Sequence, residues 1–171
     1  MNRGQGVPAD IDPHAYKSLV ELLDNSFRDF GPRVAFSFMG KDVTFAQIDK
    51  ASTAMGAYLQ SLGLVKGDRV AVMMPNVPNY PVTVAAILRA GMVVVNVNPS
   101  YTARQLEHQL TDPGARATVT IEHLAVTLEM RIANTPTKHV ALSAMGDKPA
   151  TPHGAVVMYL QRRVTKIVTY T

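Results

Sequence analysis

The chain has 171 residues, 47% of them apolar and 18% charged, with a formal net charge of +4. That balance supports a buried core within one domain or part of a larger one, and it argues against a disordered tail. The absence of cysteine excludes disulfides, thiolate catalysis and cysteine metal sites, and the thin positive excess lacks the dense stripe of a nucleic-acid binder.

Residues 1–16 are polar and rich in Pro, Gly and Asp, and they read as an extended lead-in. They hold no apolar core of signal-peptide length. Ser18 and Glu21 form a capping-box pattern, and Leu19, Leu22, Leu23 and Phe27 share one helical face. The spacing therefore predicts a helix over Leu19–Phe30, stopped by Gly31-Pro32. Val34–Met39 reads as a strand, Gly40-Lys41-Asp42 as a turn, and Val43-Thr44 as a second short strand. Thr44 and Gln47 open another helix, with Phe45, Ile48, Ala51, Met55, Tyr58, Leu59 and Leu62 on its apolar side and Gly63 at its left-handed end.

From Arg69 onward the pattern alternates. Strands are expected at Arg69–Met74, Met92–Val97, Ala117–Ile121 and His139–Leu142. Helices are expected at Asn79–Ala90, Ala103–Leu110 and Leu124–Asn134. Thr102 and Gln105 cap the second of these helices. The loop Gly146–Gly154 precedes a last amphipathic helix over Ala155–Val168. Continuous apolar strands alternating with helices imply a parallel sheet covered on both faces. The fold class is thus α/β: a partial doubly wound parallel sheet flanked by helices, with residues 17–171 as one incomplete unit. The longest apolar runs are too short to span a bilayer. A cytoplasmic chain is expected, with at most peripheral contact on the inner face of the membrane.

No phosphate loop of the G-x-x-x-x-G-K-[ST] or G-x-G-x-x-G kind occurs after a strand, and no G-x-S-x-G elbow. The histidines His14, His108, His123, His139 and His153 show no ligand spacing, and the carboxylates form no evident pair. The remaining feature is two strand ends punctuated by Pro and Asn, M-M-P-N at 73–76 and N-V-N-P-S-Y-T at 96–102. Parallel sheets bind ligands beyond their strands' carboxyl ends, although Asn and Pro there are also ordinary turn chemistry.

The run G-D-R-V-A-V-M-M-P-N, with Y-P-V-T-V-A-A-I-L-R-A-G-M-V-V-V-N-V-N-P-S-Y-T-A-R-Q-L-E-H-Q-L-T-D-P-G-A after it, resembles the amino-terminal region of AMP-forming acyl-activating enzymes. It is most similar to bacterial long-chain fatty acyl-CoA ligases, as are I-D-P-H-A-Y-K-S-L-V near the start and K-H-V-A-L-S-A-M-G-D after Thr137. Pro113 and the residues after Lys166 depart from the family's pattern, the latter as a truncated or frameshifted end would. The resemblance implies the first subdomain of that family's large amino-terminal domain. It also implies a two-step reaction: a fatty acid carboxylate attacks the α-phosphate of ATP and releases pyrophosphate, then the CoA thiolate displaces AMP. ATP, Mg²⁺ and CoA are the implied cofactors of a full-length enzyme, and none is expected to bind tightly to this chain.

The family's phosphate loop, magnesium ligand and catalytic lysine belong to later sequence, so no catalytic residue and no metal ligand is carried over. Asn98, Tyr101 and Thr102, and after them Glu122 and His123, are the candidates for ligand proximity. Inactivity alone, and self-association or pairing with a missing remainder, are the corresponding expectations. Two alternatives stay open: a non-catalytic partner-binding module or one piece of a split ligase, and part of a medium-chain or aryl acid–CoA ligase.

Overall fold

The computed structural model describes Asp12, residues 14–143 and the backbone of Arg162–Arg163. Helix α1 (Leu19–Phe30) starts where Ser18 Oγ accepts the Glu21 N–H at 3.1 Å. The Glu21 carboxylate reaches back to the Lys17 N–H, one residue before the usual capping-box partner. Strands β1 (Val34–Phe38) and β2 (Lys41–Thr44) form an antiparallel hairpin. Its turn is Met39-Gly40, both at positive φ (48° and 75°), rather than Gly40–Asp42. A two-residue turn of that hand matches the strand twist and leaves Lys41 and Asp42 to pair with Phe38 and Ser37. Helix α2 (Phe45–Ser61) opens with the expected reciprocal capping box between Thr44 and Gln47, and Gly63 past its end sits at φ 82°.

The main sheet holds β3 (Arg69–Met73), β4 (Val93–Asn96), β5 (Ala117–Ile121) and β6 (His139–Ser143), all parallel, in the order β4-β3-β5-β6. Helices α3 (Asn79–Arg89), α4 (Ala103–Thr111) and α5 (Glu122–Glu129) connect them. The chain goes from β3 to one side, then crosses back to the other, so right-handed crossovers put α3 on one face and α4 and α5 on the opposite one. The two cores agree. Val70, Val72, Val119 and Ile121 pack with α1, α2 and α3, while Ala71, Met73, Val140 and Leu142 pack with Leu106, Leu110 and Leu128.

Two further expectations are corrected. The helix predicted over Leu124–Asn134 begins at Glu122 and ends at Glu129, followed by a separate 3₁₀ turn at Ile132–Asn134. Glu122 suits the positive end of the helix dipole. Pro136 holds Thr135 extended (φ −117°, ψ 160°), so the chain cannot stay helical into β6. The last helix, expected over Ala155–Val168, is contradicted where it can be seen. Arg162–Arg163 form β7, antiparallel to β6, with Arg163 opposite His139. The rest of that helix, and the loop Gly146–Gly154, lie outside the described residues.

β5 is buried along its whole length. Thr120 Oγ1 donates to the Met73 carbonyl at 2.8 Å, but the fully buried Thr118 hydroxyl has no partner among the described residues. A desolvated hydroxyl without a partner costs free energy that an isosteric methyl does not. Thr118→Val is therefore expected to raise stability by about 1 kcal/mol, read as a higher melting temperature; a lower one would mean that the hydroxyl is bonded.

At the amino edge of the sheet, Asp68 accepts the Val65 N–H at 2.8 Å and Arg116 Nη1 at 3.0 and 2.9 Å. The Val65 N–H, with Arg116 adding to it, holds the Asp68 carboxyl below its ordinary pKa. Burial, then Arg116 and Lys138, keeps His139 below its own. In both cases the unfolded chain binds the proton more readily, so stability falls as pH falls. The His139 contribution is lost just below about pH 6.5 and the Asp68 contribution below about pH 4. Urea midpoints measured downward from about pH 8 should show one decline through each of these ranges, and His139→Gln should remove the first.

Candidate functional site

Both Pro/Asn motifs lie where the edge rule requires, at the carboxyl ends of β3 and β4, and Glu122-His123 follow β5 on the same edge. The local chemistry of the candidates is explicit. Asn98 Oδ1 accepts the Ser100 N–H at 2.9 Å, closing a turn. Thr102 and Gln105 cap α4 reciprocally, as their spacing predicts. Tyr101 is partly buried against the core beneath α4 and α5. Glu122 is half-buried and His123 exposed, on the first turn of α5.

The topology separates these candidates. The chain reverses direction across the sheet at β3, between β4 on one side and β5 on the other. The crevice of a doubly wound sheet opens at such a reversal, between β3 and β5. Glu122 and His123 flank that point, whereas Asn98, Tyr101 and Thr102 lie beyond the neighbouring strand. The resemblance ranks Asn98, Tyr101 and Thr102 ahead of Glu122 and His123, while strand order sets the latter pair nearer the reversal.

Several residues at this edge escaped the sequence. Asn79, the first residue of α3, donates through Nδ2 to Ser143 Oγ at the end of β6, spanning the end of β5 that lies between. Tyr80 Oη donates to Asn96 Oδ1 at 2.9 Å, tying the start of α3 to the end of β4. The loop after β3 is thus pinned on both sides. The one available signal was polarity inside apolar strands, since Thr120 and Ser143 interrupt runs of Val, Ile and Ala. Between this loop and the β1–β2 hairpin lies a shallow apolar groove lined by Phe36, Phe38, Val77, Tyr80 and Pro81.

Cofactor chemistry finds no ready holder here. Among the described residues no group of three or more His, Cys, Asp or Glu is placed to hold a metal ion. The polar side chains of Asn98 and Thr102 are already engaged with their own backbone. The described residues therefore do not fit Mg²⁺ or the phosphates of ATP as a complete site, and no chemical step is routed through them.

Comparison with known proteins supplies the family. The AMP-binding enzyme family matches residues 23–165. A long-chain-fatty-acid–CoA ligase of Salmonella typhimurium is 48% identical over 163 residues, covering 95% of this chain and 29% of that protein. One from Bacillus subtilis is 41% identical over 121 residues, covering 68% of this chain and 21% of its own length. The chain thus spans under a third of the curated relatives it matches. Among solved structures, a long-chain-fatty-acid-CoA ligase from Archaeoglobus fulgidus superposes with a TM-score of 0.68 at 26% identity, over 73% of this chain and 27% of that one. The anthranilate CoA ligase AuaEII, in complex with anthranoyl-AMP, gives 0.69 at 19% identity over 72% and 24%, a likeness of fold alone. With a matching doubly wound sheet and a family match over most of its length, this chain belongs to the AMP-binding enzyme family.

Proposed function

We propose that this chain is the amino-terminal scaffold of a long-chain fatty acid–CoA ligase. The supporting observation is identity near one half to bacterial ligases of that name along 95% of the chain. The reaction of the whole enzyme joins a fatty acid carboxylate to CoA through an acyl-adenylate, with ATP split to AMP and pyrophosphate and Mg²⁺ balancing phosphate charge. In this reading the 171 residues do not catalyse alone, because no phosphate loop follows any of their strands. Their part is to fix the carboxyl edge of the sheet, with Glu122 and His123 at the crevice and Asn98, Tyr101 and Thr102 on its flank. Membrane contact in this reading is at most peripheral; no described helix is long and apolar enough to cross a bilayer.

A chimaera tests this. Residues 14–143 replace the matching segment of the Salmonella typhimurium ligase, and oleoyl-CoA formation is assayed. The proposal expects activity close to that of the parent; a folded chimaera without activity would contradict it. The four-residue edge strand β4 and the exposed Phe36 and Met39 also favour association with a second copy or with the remainder of a ligase.

A further inference from the structure

The β1–β2 hairpin has an edge that its own strands do not use. The pair Phe38–Lys41 closes the two-residue turn and exchanges both backbone hydrogen bonds. Antiparallel pairs alternate, so the next pair, Ser37–Asp42, turns its N–H and C=O groups outward. Among the described residues the Ser37 N–H meets no acceptor beyond the hairpin. The two outer edges differ. β2 carries Lys41 and Asp42, whereas β1 (V-A-F-S-F) holds no charge and no proline, the usual protections of an edge strand. Of the two strands, only β1 lines the apolar groove, through Phe36, Ser37 and Phe38, and Val77, Tyr80 and Pro81 stand across from it. The free edge of β1 therefore runs beside a trough. Exposed apolar side chains gather at the same place, with Phe36 44% and Met39 82% exposed. Met39 also sits at φ 48°, a conformation that costs a non-glycine residue free energy.

We propose that the free edge of β1 receives a β-strand from the part of a fatty acid–CoA ligase that this chain does not span. The added strand bonds the Ser37 N–H and C=O and lays apolar side chains in the groove. The inference rests on the ligase reading above and adds the place where the remainder docks. The chain spans under a third of the curated relatives it matches, so most of such an enzyme is sequence that must meet this scaffold. Strand addition accounts for both features of the surface, with main-chain bonds at the edge and pockets for alternate side chains. Phe36 and Phe38 lie on one side of β1. The added residues flanking the partner of Ser37 therefore face the groove and should be apolar. A helix laid in the same trough would cover the Ser37 N–H without bonding it, at the cost of a desolvated donor. The bulge between Val34 and Phe36 confines regular pairing to the tip of β1. A two-fold pairing of β1 with a second copy would thus have Ser37 as its single bonded pair.

Amide hydrogen exchange tests it, read on the full 171-residue chain and on the chimaera with the Salmonella typhimurium ligase. The Ser37 N–H should exchange freely in the chain alone and about a hundredfold more slowly in the chimaera, as an amide does inside a ladder. Free exchange in both overturns the proposal. Slow exchange in both also overturns it, giving the edge to a second copy if the chain is dimeric and to the chain's own residues if it is monomeric. Ser37→Pro supplies a second measurement. It removes an outward N–H, which an edge strand tolerates, so the full chain should melt near wild type while the chimaera loses several degrees. Ser37→Ala keeps the N–H and should leave both melting temperatures unchanged. Equal losses from proline in the two proteins would place that N–H inside the hairpin's own ladder and overturn the proposal. Exchange and melting are read whether or not oleoyl-CoA forms. A protected Ser37 N–H in an inactive chimaera refutes the ligase reading, whereas free exchange in an active one refutes the docking edge alone.

Discussion

Replacing Gly56 by leucine is expected to destabilise the chain by about 3 kcal/mol, at the upper end of what overpacking costs. Gly56 lies inside α2, where glycine is about 1 kcal/mol worse than alanine for helix formation. Its reason for being there is the crossing with α3: a Cβ on Gly56 would come within 3.2 Å of the Ala86 carbonyl oxygen and 3.8 Å of Ala90 Cβ. Backbone cannot step aside as a flexible side chain can. A leucine must therefore push α3 off α2 and open the core that holds Met55, Leu59, Ala86 and Ile87. Alanine at the same position should be nearly neutral, since its gain in helix propensity offsets a displacement of a few tenths of an ångström. Urea midpoints of the two variants, compared at a common slope, check both expectations. A leucine variant as stable as wild type would show that the helices are not in such close contact.

Arg89→Ala is expected to cost about 2 kcal/mol, below the 3–5 typical of a fully buried pair because the guanidinium is partly solvated. Arg89 ends α3 and gathers three helices. Its Nε contacts Asp24 of α1 at 3.0 Å, and Nη1 contacts Asp49 of α2 at 2.8 Å. Nη1 also lies within hydrogen-bonding distance of Ser52 Oγ and Thr53 Oγ1, and the guanidinium stands 5.4 Å from the centre of the Phe27 ring. Truncation leaves two carboxylates facing each other across that junction and uncovers Phe27. Arg28→Ala removes an exposed pair with Asp29 on a single helix and should change stability by less than about 0.5 kcal/mol. Thermal melts of both variants separate the hub from the ornament. Equal effects would mean that Arg89 is only a surface charge.

Much of the fold was legible from local signals. Alternating apolar runs and helical spacing marked β3, β5 and α1 to within a residue, and Thr44–Gln47 and Thr102–Gln105 behave as their sequences predict. Elements set by distant partners were not legible. Whether Arg89 holds one helix or three depends on residues 40 and more positions away. The order β4-β3-β5 follows from which way each crossover turns, not from any one strand, and that order sets Glu122 and His123 beside the point where the strand order reverses. Likewise the periodic apolar pattern around Val164 suited a helix in isolation, while the free edge of β6 offered Arg162–Arg163 backbone partners instead. At the candidate site the Pro and Asn residues of the sequence marked the carboxyl ends of β3 and β4, but Asn79 reaching Ser143 had no local signal.

Pyrophosphate exchange tests the central claim most directly: these residues supply the scaffold of an AMP-binding ligase and not its nucleotide chemistry. The purified 171-residue chain is incubated with oleate, Mg²⁺, ATP and labelled pyrophosphate, beside a full-length ligase as positive control. The account predicts no incorporation of label into ATP above background while the control exchanges freely. Exchange that requires oleate and disappears without Mg²⁺ would contradict it, and would place a working nucleotide site within this chain.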